Sequence, residues 1–408
     1  VKPEGWEIGA ISDFSEVNPR RPKTLAALPD GHQVTFVPMA AVDRLSGTIM
    51  AGESRRFSEV RKGFTYFAEG DVIFAKITPC MQNGKAAVAT GLHNELGFGS
   101  TEFHVLRPKE ARVLPEWLWY FVRQIGFRRE AQANFRGSAG QQRVPASFIE
   151  GHDIPVPPLA EQHRIIARVK AMMDRIDEAH ELRVKASAET AVVFPAVLAG
   201  RFDSVSAHSP IVKIDDVTTQ SRYGTSKKCT TKGGGTGVLR IPNVVQGVIN
   251  ADNLKFCKLT DKELQRLRLE DGDLLIVRTN GSPTLVGRCA VYSSCGEPVA
   301  FASYLIRIRV DQRRVDPQYL SFYLESARGR DAIAAIRRTS AGQYNVNSAN
   351  LRAIEFPCPP VEKQRAMAEQ MREQRKVCKG IESGIQERLK DIEPLRASIL
   401  HKAFAGEL

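Results

Sequence analysis

Four short segments of the chain mix guanidinium or ammonium groups with amides and hydroxyls. Lys76-Ile77-Thr78-Pro79-Cys80-Met81-Gln82-Asn83-Gly84-Lys85 is one, and Arg136-Gly137-Ser138-Ala139-Gly140-Gln141-Gln142-Arg143 is another. Further along come Arg278-Thr279-Asn280-Gly281-Ser282, closing at Arg288, and Arg337-Arg338-Thr339-Ser340-Ala341-Gly342-Gln343-Tyr344-Asn345. Cations of this kind neutralise phosphates and give affinity. Arg can read guanine, and Asn or Gln adenine, through paired hydrogen bonds in the major groove. The chemistry on offer is recognition of a nucleic acid. The competing reading is that Ser-Ala-Gly-Gln only builds a turn. Asn18-Pro19-Arg20-Arg21-Pro22-Lys23 and Arg222-Tyr223-Gly224-Thr225-Ser226-Lys227-Lys228 are also basic and turn-rich. These two segments fit a solvated loop and a phosphate contact equally well.

Composition agrees with a polyanionic partner. The 408 residues carry a formal charge of +12, which suits nucleic acid or simply solubility. No apolar run reaches the ~20 residues of a membrane span, and Val1-Lys2-Pro3-Glu4-Gly5-Trp6 lacks a signal-peptide core. The seven cysteines form no C-x-x-C pair and the eight histidines are scattered. This predicts no metal site, no disulfide framework and a reducing cytoplasm. Asp316-Pro317-Gln318-Tyr319 looks superficially like an amino-methyltransferase motif, but the matching Leu114-Pro115-Glu116-Trp117 lacks the aspartate. A helix start explains both. Lys232-Gly233-Gly234-Gly235-Thr236-Gly237 lacks the Gly-Lys-Ser/Thr ending of a phosphate loop and reads as a linker.

The loops sit in a duplicated frame. Glu69-Gly70-Asp71-Val72-Ile73-Phe74 matches Asp271-Gly272-Asp273-Leu274-Leu275-Ile276, an offset of 202 positions (71 to 273). Ser138 to Gln141 recurs at Ser340 to Gln343, and Pro155-x-Pro157-Pro158-x-x-x-Gln162 at Pro357-x-Pro359-Pro360-x-x-x-Gln364, both at 202. Pro115-x-x-Leu118-x-x-Phe121 pairs likewise with Pro317-x-x-Leu320-x-x-Tyr323. Gly84-Lys85 pairs with Gly287-Arg288 at 203, so the loop between differs in length. Cations recur across the copies: Lys76 with Arg278, Lys85 with Arg288, Arg136 with Arg338. Their neighbours, Gln142-Arg143 against Tyr344-Asn345, do not. Shared cations suit phosphate positioning and unshared neighbours suit base reading.

Each copy reads as a mixed α/β (α+β) domain followed by a long helix. Val72–Ala75 and Leu274–Val277 are short apolar runs expected to be buried strands. Pro115–Phe127 carries Trp117, Leu118, Phe121, Val122 and Ile125 at helical spacing after a proline. The proline runs at 155–158 and 357–360 close the globular parts. Beyond them, Ile165, Met172, Ala179, Ala186 and Val193 lie at intervals of seven, as do Met371, Cys378, Ile385, Ile392 and Ile399. Such spacing predicts a coiled-coil seam between two antiparallel helices, with a domain at each end in pseudo-two-fold symmetry; the alternative is an amphipathic helix lying on its own domain. Pro195 and Pro394 are expected to kink or restart the helices, and Ala199-Gly200 and Ala405-Gly406 to end them. About 40 helical residues would make a rod of roughly 60 Å, long enough to set two binders about one DNA turn, ~34 Å, apart.

These features resemble the specificity subunit of type I restriction–modification systems. The carriers are Pro3-Glu4-Gly5-Trp6, the paired Gly-Asp turns, the paired Ser-Ala-Gly-Gln loops, the paired Pro-Pro-x-x-x-Gln helix starts and the ending Lys402-Ala403-Phe404-Ala405-Gly406-Glu407-Leu408. The resemblance implies target-recognition domains over 1–155 and 204–357, each reading half of a split double-stranded DNA site. It implies helical spacers over 156–203 and 358–408 that dock two modification subunits. It also implies that S-adenosylmethionine is held by those partners and not by this non-catalytic chain, and that motor subunits complete the cutting complex. Two other readings stay open: a self-contained DNA methyltransferase or nuclease, and a helical scaffold with no DNA role.

Overall fold

Each copy opens with a short strand that meets the segment preceding its own long helix. In this computed structural model Glu7–Ala10 pairs antiparallel with Asp153–Val156, and Ile211–Lys213 pairs with Glu355–Pro357. The structure describes residues 4–408 apart from 51, 110, 139–140, 232–233, 246, 295 and 341. Val1, Lys2, Pro3, Ala139, Gly140, Lys232, Gly233 and Ala341 of the segments above, and the seventh cysteine, Cys295, therefore lie outside the described residues, as does the side chain of Ser340. No helix among the described residues is long and apolar enough to cross a membrane.

The expected buried strands form. Gly70 and Gly272 take positive φ (80° and 87°), a turn that a side chain would strain, and deliver the chain into Val72–Ala75 and Leu274–Val277. All eight residues are buried, because each strand is interior to a four-stranded antiparallel sheet. The order is 15–17, 103–108, 72–75, 86–88 in the first copy and 218–223, 305–310, 274–277, 289–291 in the second. Even the register repeats: Val72 faces Leu106, and Leu274 faces Ile308.

The aspartate of each Gly-Asp pair is buried and fully employed. Asp71 accepts the Ala68 N–H at 2.7 Å and both arms of Arg107 at 2.8 and 2.7 Å. Asp273 does the same with the Glu270 N–H at 2.8 Å and Arg309 at 2.7 and 2.8 Å. A bidentate arginine satisfies a desolvated carboxylate that would otherwise be costly.

The second sheets diverge. The first copy has the order 53–56, 33–37, 96–99, 65–68. The second has 255–257, 236–239, 299–301; the place of the fourth strand is taken by the segment 268–270, which bonds the Leu269 N–H to the Val299 carbonyl at 3.1 Å, and a helix, Asp261–Leu267, precedes it. The proline-led helix also differs from expectation. It stops at Arg123, Gln124 is extended (ψ 142°), and a second helix runs over Ile125–Ala133. Ile125 opens that second helix and is exposed. The other copy breaks likewise between Pro317–Glu325 and Ala327–Ile336, where the Ser326 hydroxyl caps the Gly329 N–H.

The long helices are Leu159–Ser206, Val361–Lys390 and Ile392–Ala405. By compactness the chain forms two units, 1–182 with 388–408 and 183–387, so the division falls within both helical regions. In the first unit Arg396 bonds to Asp177, and Arg164 reaches the Leu408 carbonyl at 2.5 Å. In the second, Gln386 donates to Ser187 at 3.0 Å and Arg375 covers the Phe194 ring at 4.7 Å. Within each unit the numbering of one helix rises as that of its partner falls, so the helices pack antiparallel.

Three helical expectations are corrected. Val193 is 46% exposed and Phe194 is buried in its place. A strict seven-residue repeat drifts about 20° per heptad on a straight helix, or about 80° from Ile165 to Val193. Residue 194 returns to within about 20° of Ile165. Val193 alone leaves the inner face: Ile165, Met172, Ala179 and Ala186 stay at least half-buried, as do Met371, Cys378, Ile385, Ile392 and Ile399. Second, a new helical segment starts at Ile392, with Pro394 in its first turn as expected, but no new segment starts at Pro195, which lies inside the first helix. Third, Gly406 ends its helix in the left-handed conformation, but Gly200 ends nothing. Phe202 lies beyond Gly200, fully buried against Tyr319 and Tyr323 (5.3 and 5.4 Å), and its burial draws the helix on to Ser206. Its counterpart at offset 202 is Phe404, packed on Trp117 and Phe121 at 4.4 and 5.4 Å.

Gln162 and Gln364 join each long helix to its own globular part, and both are fully buried. The Gln162 carbonyl accepts the Leu114 N–H at 2.8 Å, while its amide donates to Arg112 and Pro157 carbonyls at 2.9 and 2.8 Å. Gln364 accepts from the Asp316 N–H at 3.0 Å and donates to Arg314 and Pro359 carbonyls at 3.1 and 2.7 Å. Removing either amide takes the partner from three backbone groups, one of them fully buried. Gln162→Ala and Gln364→Ala are each expected to lower unfolding stability by about 2–4 kcal/mol, read by denaturant titration; a loss under about 0.5 kcal/mol, the size of an ordinary surface substitution, would contradict the role given to them.

His104 has no counterpart in the second copy, where Ile306 stands. It is buried between Asn18 (3.0 Å) and the Val144 carbonyl (2.9 Å), and burial pushes its pKa from 6.5 down to about 4. The unfolded state therefore takes up a proton that the folded state refuses. His104 contributes stability that is present above pH 6.5 and lost as pH falls toward 4. Melting temperature is expected to fall more steeply over this interval in the native chain than in a His104→Ile variant; parallel curves would refute the assignment.

Candidate nucleic-acid interface

The four polar segments become two sites. In the first unit Ile77 and Arg136 both bridge Arg143, Thr78 N–H donates to the Gln142 carbonyl at 3.0 Å, and Val144 N–H to the Lys76 carbonyl at 3.0 Å. In the second unit Thr279 and Arg338 both face Asn345, Asn280 faces Tyr344, and Val346 N–H donates to the Arg278 carbonyl at 2.9 Å. Every one of these positions is related by 202. The buried strand of each Gly-Asp turn thus runs directly into a small antiparallel patch, and the later loop folds back onto it.

Several of the predicted side chains already have partners inside the protein. Arg143 grips Glu102 at 2.7 and 2.8 Å and the Gln141 carbonyl at 2.8 Å, and this contact holds the Glu102 carboxyl below its usual range. Lys85 donates to the Met39 carbonyl at 3.0 Å, and Thr78 donates to Gln82 at 2.6 Å. Arg21 bonds to the Arg61 carbonyl. Lys227 pairs with Glu263 at 2.6 Å; this bond, with those from Thr260, brings Glu263 down to about 2. Ser282 bonds Thr284 at 2.9 Å and its N–H is held by Asn280 at 2.8 Å; Asn345 donates to the Gln343 carbonyl at 3.2 Å.

Aromatic faces orient the cations of the second patch. Arg278 lies over Tyr223 at 4.7 Å, and the Tyr223 hydroxyl accepts the Ser348 N–H at 2.9 Å. Arg337 lies over Tyr344 at 5.0 Å and donates to the Pro283 carbonyl at 3.0 Å. Stacking fixes a guanidinium plane while leaving its edge to donate. Arg20, Asn83, Arg136, Ser138, Gln141, Arg222, Lys228, Arg338 and Gln343 are exposed; Lys76, Gln142, Thr279 and Arg288 are half-buried. The matched pair Arg136 and Arg338 projects from the same strand position in both patches.

In the sequence Gln162, Gln364, Asp71 and Asp273 stand within the repeated motifs without a role of their own, and Arg107 and Arg309 stand in none of those motifs. The signal was present, since Arg107 and Arg309 also stand 202 apart. The methyltransferase-like residues serve the fold. The Asp316 carboxylate caps the Tyr319 N–H at 2.8 Å, and buried Tyr319 donates to the Pro357 carbonyl at 2.8 Å. No cluster of three metal-ligating side chains occurs among the described residues.

A family model described as the type I restriction modification DNA specificity domain matches residues 3–188 and again 210–391. The EcoAI type I restriction enzyme specificity subunit of Escherichia coli is 38% identical over 176 residues, 43% of this chain but only 29% of that relative's length. The EcoKI specificity subunit of Escherichia coli K12 is 27% identical over 437 aligned positions, covering 100% of this chain and 90% of the relative. A chain solved in work on complex assembly and conformational transition of the type I R-M system has TM-score 0.81 at 22% identity, with 100% of both chains covered. The HsdS subunit of Thermoanaerobacter tengcongensis has TM-score 0.69 at 23% identity, covering 100% of this chain and 98% of that one. At these identities the structures speak for the fold, while the sequence model spans both copies of the repeat. The chain belongs to the type I restriction modification DNA specificity family and carries its domain twice.

Proposed function

We propose that this chain is the non-catalytic recognition subunit of a type I restriction–modification complex and reads a split, asymmetric site on double-stranded DNA. The observation that carries the reading is the twin patch. Two loops far apart in sequence close on each other identically in both copies, with cations at matched positions and different polar residues beside them. Matched Arg136 and Arg338, with Lys76 and Arg278, hold phosphates. Gln142 in one unit, and Asn345 and the stacked Arg337 edge in the other, read bases. Different readers on a common frame are what an asymmetric site requires.

The long helices act as spacer and docking surface. Leu182, Val184, Val192, Val193, Val377 and Ile381 are exposed on them and offer apolar contacts to a docked subunit. Two modification subunits fit this role. They bring S-adenosylmethionine, and motor subunits complete the cutting complex, all working in the cytoplasm. Val193, absent from the inner face, finds its use here.

Replacing residues 1–155 by those of a relative is expected to change one half-site and leave the other intact, read by mapping modified adenines across a genome; a change in both halves would end the modular reading. In the assembled complex, Arg136→Ala and Arg338→Ala should each weaken binding to all sequences alike. Each should also reduce the slope of log affinity against log salt by about 1. A sequence-selective loss at either would make it a base reader.

A further inference from the structure

Cys229 and Cys257 face each other across a strand pair in the second unit. Thr230 and Phe256 form an isolated antiparallel bridge and exchange both backbone hydrogen bonds, at 2.9 and 2.8 Å. The pair one step outward, 229 with 257, is therefore a non-hydrogen-bonded pair. Such pairs hold their Cα atoms about 4.5 Å apart with side chains on one face, within the ~4.4–6.8 Å that a disulfide spans. Cys229 indeed packs against buried Cys257, in a small apolar group with Val238, Ala300 and Ala302. Both are free thiols. The other described cysteines lie elsewhere: Cys80 in the first unit, Cys289 in the central sheet, Cys358 after a strand and Cys378 on a long helix.

We propose that Cys229 and Cys257 form a reversible disulfide that peroxide closes and thiols reopen, clamping the basic segment 225–230 onto the strand Lys255–Cys257. Cys229 is half-buried and Cys257 is buried, with its thiol pushed up to about 11 by burial first and by Cys229 second. Cys229 is accordingly the thiol that meets the oxidant. Its thiolate attacks one oxygen of hydrogen peroxide, the O–O bond breaks, and hydroxide leaves to become water, giving a sulfenic acid. The Cys257 thiolate then attacks that sulfur, the S–O bond breaks, and a second water leaves as the S–S bond forms. Two thiols lose two electrons and two protons, and one peroxide becomes two waters.

The clamp acts on residues next to the candidate interface. Cys229 donates weakly to the Lys227 carbonyl at 3.4 Å, and Lys227 already reaches across to Glu263 at 2.6 Å and to the Lys258 carbonyl at 3.3 Å. Lys228 is exposed beside them. Closing the disulfide fixes this segment at its far end, so oxidation changes DNA reading by the second unit. That last consequence rests on the function proposed above; the disulfide does not.

The test oxidises the native full-length chain with a modest excess of hydrogen peroxide and maps its peptides by mass spectrometry without reduction. A peptide linking Cys229 to Cys257, lighter by two hydrogens and released by dithiothreitol, is the expected result. Cys257→Ser should lose the link and leave a Cys229 sulfenic acid that dimedone traps. Absence of the link in the native chain, or its appearance only after denaturation, would overturn the site, and neither result depends on a variant folding. The assembled complex, reduced and oxidised, is then titrated with its DNA. A shift of fivefold or more in affinity, reversed by dithiothreitol and absent in Cys229→Ser, supports the coupling. A formed link with affinity unchanged within twofold overturns the coupling, and failure of the reduced complex to bind any specific DNA strikes the functional reading instead.

Discussion

Two buried primary amides hold this architecture to its purpose. Gln162 and Gln364 sit in the first turn of a long helix with no exposure to water, and each spends its carbonyl and both N–H groups on backbone of the preceding domain. A glutamine is well suited to this. It supplies an acceptor and two donors on one rigid plane without the desolvation cost of a charge. Its partners are the approach to the proline-led helix (Arg112 and Leu114, Arg314 and Asp316) and the proline run just before the long helix (Pro157, Pro359). One side chain therefore fixes the helix axis against the element that carries the core aromatics Trp117 and Tyr319.

A second constraint acts at the other end of each helix. Phe202 and Phe404 insert between aromatic residues of a globular part, on Tyr319 and Tyr323 in one unit and on Trp117 and Phe121 in the other. Each compact unit is thus made of one domain, the start of its own helix held by a glutamine, and the end of the other helix held by a phenylalanine. The polar tether gives direction and the aromatic one gives burial. Neither could be exchanged for the other, since a directional tether needs hydrogen bonds and an anchor between two rings needs apolar area.

What the sequence made legible was local. The Gly-Asp turns, four-residue apolar runs, proline helix starts and matched cations are all contained within a few residues, and duplication repeats each of them. Antiparallel closure of the two loops was not legible, because Ile77 and Arg143 are brought together only by the sheet between them. The same holds for the internal partners that occupy several predicted readers. Glu102 holds Arg143 and the Met39 carbonyl holds Lys85, across 41 and 46 residues. A basic residue in a polar loop looks free in sequence, and only the fold says whether an acid waits beneath it. The peripheral sheets were illegible for another reason. Strand 65–68 pairs along its length with 96–99, whereas its counterpart 268–270 keeps the Leu269–Val299 backbone bond after a helix, 261–267, so the common pattern is blurred there.

The helix seam shows how far a periodic signal can mislead. Apolar residues at intervals of seven occur in both helices, yet over 28 residues the difference between 3.5 and 3.6 per turn swings a side chain through about 80°. In the second region Asp391 interrupts the helix, and Ile392 and Ile399 begin a fresh count beyond it, so the heptad remains on the inner face. In the first, no such break occurs, even at Pro195, and the count runs on until Val193 has left the inner face and Phe194 has taken its place. The same apolar repeat is thus read differently by an interrupted and an uninterrupted helix. Uninterrupted, it buries Phe194, Leu198 and Phe202 and leaves Val192 and Val193 exposed. Two exposed valines are ordinary on a protein surface, and the choice of Phe194 over Val193 for the inner face follows from the helical period alone.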